Sequence, residues 1–264
     1  MISTSIHRRI TTDQILRNAH SGTSGVPNCL SGKTIDFATK PLNLDKLPII
    51  LHNYGRKIYH MVGIMNKYAL QIIGLFRHNY AASYHVRQIA GLLKISHVTL
   101  LPYLKELENT KVLCVKSSGK NKLFSLNLSN ILTKDYLLLA EKTAAIAFLE
   151  EYFLFKKIYV EIFEISPAGA VVLFGSYAKR TQTSESDIDL LYIGNNGVSF
   201  AGQMKKIGAL LGKAISVKCT TLSNFEKGLR EKDSLIWEVL EQHVILYDPT
   251  TFIDSAWRYY GKIR

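Results

Sequence analysis

Between residues 170 and 193 the chain reads AVVLFGSYAKRTQTSESDIDLLYI, and this stretch limits what the rest can become. Two short apolar runs, 170–174 and 188–193, have the length and composition of buried strands. A Gly175-Ser176 turn and ten further residues separate the first run from Asp187-Ile188-Asp189, which opens the second. Side chains alternate along a strand, so Asp187 and Asp189 share one face while Ile188 and Leu190 turn to the core. Two carboxylates held that close repel each other unless a cation lies between them. Hard oxygen ligands favour Mg²⁺ or Mn²⁺, so Asp187 and Asp189 are the expected metal ligands.

The rhythm after the motif is that of an α/β domain. An amphipathic helix over 200–214 precedes a strand at 215–220, short helices at 223–231 and 234–242, and a strand at 244–247. With its Gly-Ser turn and Asp-Ile-Asp pair in this setting, the segment 170–248 resembles the minimal nucleotidyltransferase branch of the DNA polymerase β-like nucleotidyltransferase superfamily. The resemblance implies transfer of a nucleoside monophosphate from a nucleoside triphosphate to a hydroxyl of a protein or other acceptor. It assigns catalysis and metal binding to Asp187 and Asp189, and nucleotide binding to Gly175, Ser176, Lys179 and Arg180. Gly175 lets the backbone approach a triphosphate, and Ser176 offers a hydroxyl and an amide to phosphate oxygens. Many members of that branch are the antitoxin half of toxin–antitoxin pairs, which implies a toxin-like protein partner. The chain departs from the family in two places. Arg180 stands where glycine is common, and the 215–220 strand offers Ser216 and Lys218 where active members carry a third carboxylate.

Upstream, helical spacing in Tyr68, Ala69, Ile72, Ile73, Leu75 and Phe76 predicts a first helix. A second follows Ser83, with Val86, Ile89, Ala90, Leu92 and Leu93 inward, and a third contains Leu100, Leu101, Leu104 and Leu107. Residues 112–116 and 122–128 then read as a hairpin around a Ser-Ser-Gly-Lys-Asn turn. Three helices and a hairpin resemble a winged helix-turn-helix. That likeness implies a recognition helix in duplex DNA, with Thr99 and Lys105 on the helix and Lys116, Lys120 and Lys122 at the wing. Pro102 is a poor fit inside such a helix because it removes a backbone donor. Charge agrees with a polyanionic partner. Of the 33 Lys and Arg, 21 lie in 1–163 with 10 of the 21 Asp and Glu, so the balance is +11 there and +1 beyond.

The fold class expected is therefore a multidomain α+β chain. A poorly ordered extension (1–60, with Met61 and Met65 as alternative starts) precedes the winged helix (61–130). A helical linker (131–165), an α/β nucleotidyltransferase domain with a small mixed sheet (166–250) and a C-terminal helix (251–264) complete it. The linker's apolar surplus suits a homodimer as well as internal packing. No apolar run reaches the roughly 18–20 residues of a membrane span, and the N-terminus lacks a secretory pattern. Three scattered cysteines point to a reducing cytoplasm and against a disulfide or zinc framework. The eight histidines make no metal or triad spacing, and neither a Walker loop nor a dinucleotide fingerprint is present. Two functions fit: a Mg²⁺-dependent nucleotidyltransferase, or a DNA-binding regulator whose transferase domain senses nucleotide or is inactive.

Overall fold

The computed structural model describes residues 67–119 and 121–263. The extension expected over 1–60, a start at Met61 or Met65, and the wing residue Lys120 lie outside the described residues.

Helix α1 (Lys67–Gly74) buries Ala69, Ile72 and Ile73, the spacing of one helix face. The chain then enters a short strand, β1 (Ser83–His85), where the sequence predicts a helix start at Ser83. Extended backbone here sets the Tyr84 ring against Phe76, 5.1 Å between centroids, and pairs Ser83 with Ser125. Helix α2 (Val86–Leu93) starts just after the strand, where the His85 N–H donates to Gln88 Oε1 at 2.7 Å. Helix α3 (His97–Asn109) buries Leu100, Leu104 and Leu107. Pro102 sits in its interior on the exposed side, where water can take the place of the missing backbone donor. Strands β2 (Leu113–Ser118) and β3 (Asn121–Leu126) form a hairpin, and β1 adds beside β3 to give an antiparallel sheet of order β1-β3-β2.

The helical connection is two helices, α4 (Ile131–Glu151) and α5 (Phe153–Ile165), broken at Tyr152, whose backbone is extended. Its ring packs at 4.7 Å from Phe148, and its hydroxyl accepts a hydrogen bond from Gln182 Nε2 at 3.0 Å. Those contacts occupy the bend without proline or glycine. Phe153, Val160 and Phe163 stay exposed along α5. No helix among the described residues is long and apolar enough to cross a membrane.

The second sheet has the order β6-β5-β4-β7, from β4 (Gly169–Phe174), β5 (Ile188–Gly194), β6 (Ile215–Thr220) and β7 (Val244–Tyr247). Strand β4 runs antiparallel to β5 and β7, while β5 and β6 are parallel, joined by the crossover helix α6 (Gly197–Leu211). Helices α7 (Leu222–Glu231), α8 (Ser234–Glu241) and α9 (Pro249–Lys262) complete the chain. Both faces of this sheet are covered, which explains why its central strands are nearly continuous apolar runs. Val171, Leu173, Ile188, Leu190 and Tyr192 pack with α5 and α6. Ala170, Val172, Phe174, Leu191 and Ile193 share a cluster with α7, α8, α9 and the apolar residues of α1, α3 and α4.

A buried charge network ties these parts together. Glu141 of α4 is wholly buried, 2.7 Å from the Arg77 guanidinium and 3.2 Å from His243 Nε2. His243 Nδ1 donates to the Val239 carbonyl at 2.9 Å, and the His78 ring stacks edgewise at 4.8 Å. Burial opposes ionisation of Glu141, but Arg77 and His243 outweigh it and hold the carboxyl at about 2. Burial, with His243 and Arg77 adjacent, pushes the His78 imidazole down to about 3.

These shifts fix the sign of an acid response. The folded His78 refuses a proton that the unfolded chain accepts below 6.5, so its stabilisation is whole above 6.5 and is lost as pH falls towards about 3. Glu141 adds a second loss as pH falls from 4.5 through about 2. Urea midpoints should therefore fall between pH 7 and pH 5, and His78→Phe should flatten that slope; an equal slope in the variant would assign the response elsewhere.

Candidate active site

The site begins where β4 ends. Gly175 takes φ 70, a left-handed conformation that glycine adopts freely, and turns the chain into one short helical turn over 175–179. That turn stops at Arg180, itself left-handed at φ 59. A glycine would meet no strain there. The loop back is pinned by its own polar groups. Thr181 N–H donates to the Ser176 carbonyl at 2.9 Å, Ser186 Oγ accepts from Thr183 N–H at 2.8 Å, and Lys213 donates to the Ser184 carbonyl. Ile188 N–H then donates to the Ala214 carbonyl at 2.9 Å, which starts β5 beside β6.

Register delivers Asp189 to the turn. Asp189 lies directly across from Phe174 on β4, one residue before Gly175. The fit is close: a Cβ at Gly175 would sit 2.5 Å from Asp189 Oδ2 and 3.2 Å from Cγ. Asp189 is half-buried and Asp187 exposed. Farther along the Asp189 face, Leu191 and Ile193 are buried, so the face is open only where the strand begins. On the neighbouring strand, Ser216 pairs with Asp189 in register, and Lys218 follows two residues on.

Burial raises the Asp189 pKa, and the negative charges of Asp187 and Glu238 add to it; Lys218 and the Ser216 hydroxyl oppose the rise. Among the described ion pairs none includes Asp187 or Asp189. The carboxylate pair is thus under-neutralised, and its hard oxygens fit a divalent cation such as Mg²⁺. Among the described residues no group of three or more His, Cys, Asp or Glu is arranged to hold a metal ion. Two carboxylates, with water and phosphate oxygens filling the shell, is a usual Mg²⁺ arrangement.

The two loop cations have carboxylate partners. Lys179 Nζ lies 2.6 Å from Glu238 of α8, and Arg180 reaches Glu151 at the end of α4, 2.8 Å away. Lys179 is thus directed to α8, whereas Arg180 is directed to α4. Sequence reasoning does not single out Glu238. It falls among the charged positions of SLIWEVLE, and nothing local in that pattern marks a partner on another element.

Of the residues expected to meet DNA, Thr99 and Lys105 are exposed on α3 and Lys116 is exposed on β2. Lys122 on β3 is 3.4 Å from Glu108. Val98 and Leu101 share the exposed surface of α3 with Thr99 and Lys105.

Among known protein families, the nucleotidyltransferase domain model matches residues 155–256. Comparison with curated proteins finds no match. Among solved structures, reduced HlyU from Vibrio cholerae is similar at 16% identity, covering 37% of this chain and 97% of its own, with a TM-score of 0.28. A toxin–antitoxin structure with AMP-PNP is similar at 18% identity, covering 41% of this chain and 85% of its own, with a TM-score of 0.28.

The packing of Asp189 on Gly175 has a direct test. Gly175→Ala forces a side chain into a left-handed backbone, at about 1–3 kcal/mol, and drives the methyl into the carboxylate. Thermal melting should show the loss of stability, and Mg²⁺-dependent binding of a fluorescent ATP analogue should disappear. A variant that keeps both would show that Asp189 does not depend on this turn.

Proposed function

We propose that the C-terminal half is a Mg²⁺-dependent nucleotidyltransferase that moves a nucleoside monophosphate from a nucleoside triphosphate to a hydroxyl group. The observation that carries the reading is the packing of Asp189 against the Gly175 backbone, with Asp187 beside it and neither aspartate in an ion pair among the described residues. The family match over 155–256 supports the same chemistry. On this reading Asp187 and Asp189 hold the ion, which when bound neutralises charge on the triphosphate and on the departing pyrophosphate. Gly175 admits the phosphates close to the backbone, and the Ser176 hydroxyl and amide orient them. Lys179 supplies a cation at their edge, and Arg180 a second if it leaves Glu151. The reactive event is attack of the acceptor oxygen on the α-phosphorus in line with the leaving pyrophosphate, so most of the rate comes from position and charge. By the resemblance of its motif, the acceptor is a toxin-like protein partner.

The test is label transfer. A triphosphate radiolabelled at its α-phosphate should mark an acceptor in whole-cell lysate, and Asp187→Ala with Asp189→Ala should abolish the mark. The same label on a triphosphate's γ-phosphate should not transfer. Absence of transfer from all four triphosphates would leave the site a sensor.

A second reading is supported by the basic balance of residues 1–163 and by the order of elements from α1 to β3. In it, this segment is a winged helix that docks α3 in the major groove of duplex DNA and sets Lys116 and Lys122 near phosphates. Lys116→Ala with Lys122→Ala should weaken duplex binding and flatten its salt dependence, by about 0.9 in log–log slope for each phosphate that is no longer neutralised. Electrophoretic titration at several salt concentrations would read this. Unchanged affinity, together with an interaction surface that includes Val98 and Leu101, would make the segment a protein-binding module.

A further inference from the structure

We propose that Glu238 is the third carboxylate of this site, the proton acceptor for the attacking hydroxyl, and that Lys179 holds it until a triphosphate draws the lysine away. This rests on the nucleotidyltransferase reading. The strand position next to Asp189 that would carry such a group is Ser216, which is not acidic. A base for the acceptor must then come from another element. Helix α8 lies over the Asp189 face of the sheet, with Ile236, Val239 and Leu240 buried in the same cluster as Phe174 and Leu191. Glu238 lies between those anchors in sequence, and its carboxylate meets Lys179, four residues after Gly175, at 2.6 Å. Two elements that are distant in sequence therefore bring an acid to the edge of the Gly-Ser turn.

The pairing is suited to exchange. Lys179 and Glu238 keep 40% and 39% of their side-chain surface exposed, and an ion pair so open to water holds weakly. A triphosphate carries far more negative charge than one carboxylate, so it competes well for Lys179. Glu238 is then left without its cation, next to the place where the acceptor arrives. On this proposal Glu238 acts as a base, and Asp187 and Asp189 hold the ion. In the transfer step the hydroxyl proton passes to the Glu238 carboxylate and the oxygen bonds to the α-phosphorus. The bond from that phosphorus to the bridging oxygen breaks, and pyrophosphate leaves with the electron pair.

The full chain provides the test, with two readouts taken on the same variants. Glu238→Gln should lower the initial rate of α-label transfer in lysate by about 100-fold, the scale of a missing general base. The same variant should bind a fluorescent ATP analogue with Mg²⁺ at least as tightly as the unaltered chain, because Lys179 is no longer held. Adding Ser216→Asp to Glu238→Gln should restore about tenfold of that rate, by placing a carboxylate beside Asp189. Transfer that survives Glu238→Gln within about threefold overturns the proposal, as does a fall in rate matched by an equal fall in analogue binding, the mark of a structural role. Failure of Ser216→Asp to rescue any rate also counts against it. If the unaltered chain transfers no label yet binds the analogue through Asp187 and Asp189, the transferase reading fails and this proposal with it. If that binding ignores Asp187→Ala with Asp189→Ala, the metal-site reading fails instead.

Discussion

A carboxylate with no access to water sets much of this architecture. Glu141 can remain ionised in the interior only because Arg77 and His243 meet it there, and removing one partner of such a set typically costs about 3–5 kcal/mol. The three residues come from the stretch just after α1, the middle of α4 and the turn between α8 and β7. Hydrophobic packing alone would let these segments slide past one another. A buried charge does not, because each shift leaves it without a partner. The turn fixed in this way is the one that follows α8, the helix that carries Glu238.

The sheet supplies the other half of the geometry. With both faces covered, it has little room for charge except at strand ends, and β5 begins with its aspartates at such an end. Register with β4 sets one aspartate on the glycine turn, and register with β6 sets Ser216 beside it. The polar residues of the site are thus located by backbone pairing, which is stiffer than loop placement.

Much of this was legible in the chain, and the reasons are physical. Continuous apolar runs marked β4 and β5, because strands buried on two faces have no polar side to show. The strands at Ile215–Thr220 and Val244–Tyr247 fall on the residues read from pattern alone. The aspartate pair was visible because alternation along a strand is a local rule. What escaped depends on distant partners. The bend at Tyr152 has no proline or glycine to announce it and is occupied by Phe148 and Gln182. Strand β1 exists because β3, about 40 residues away, accepts it as a neighbour. Arg180 gives no sign of a left-handed backbone, since the loop imposes it. Glu238 reads as one more surface acid on an amphipathic helix until Lys179 is seen to reach it.

The shared cluster has a consequence for how the chain can be divided. Ala170, Val172 and Phe174 pack in one body with Ile72, Phe76 and Leu137, and Tyr80 lies 5.2 Å from Tyr260 near the C-terminus. Cutting before the second sheet would remove α5 from one of its sides and the apolar residues of α1, α3 and α4 from the other, and would take Tyr80 from Tyr260 of the last helix. The C-terminal half is therefore not a portable cassette: part of its apolar surface is covered by the residues ahead of it, and recombination that separates the two would yield a sticky fragment.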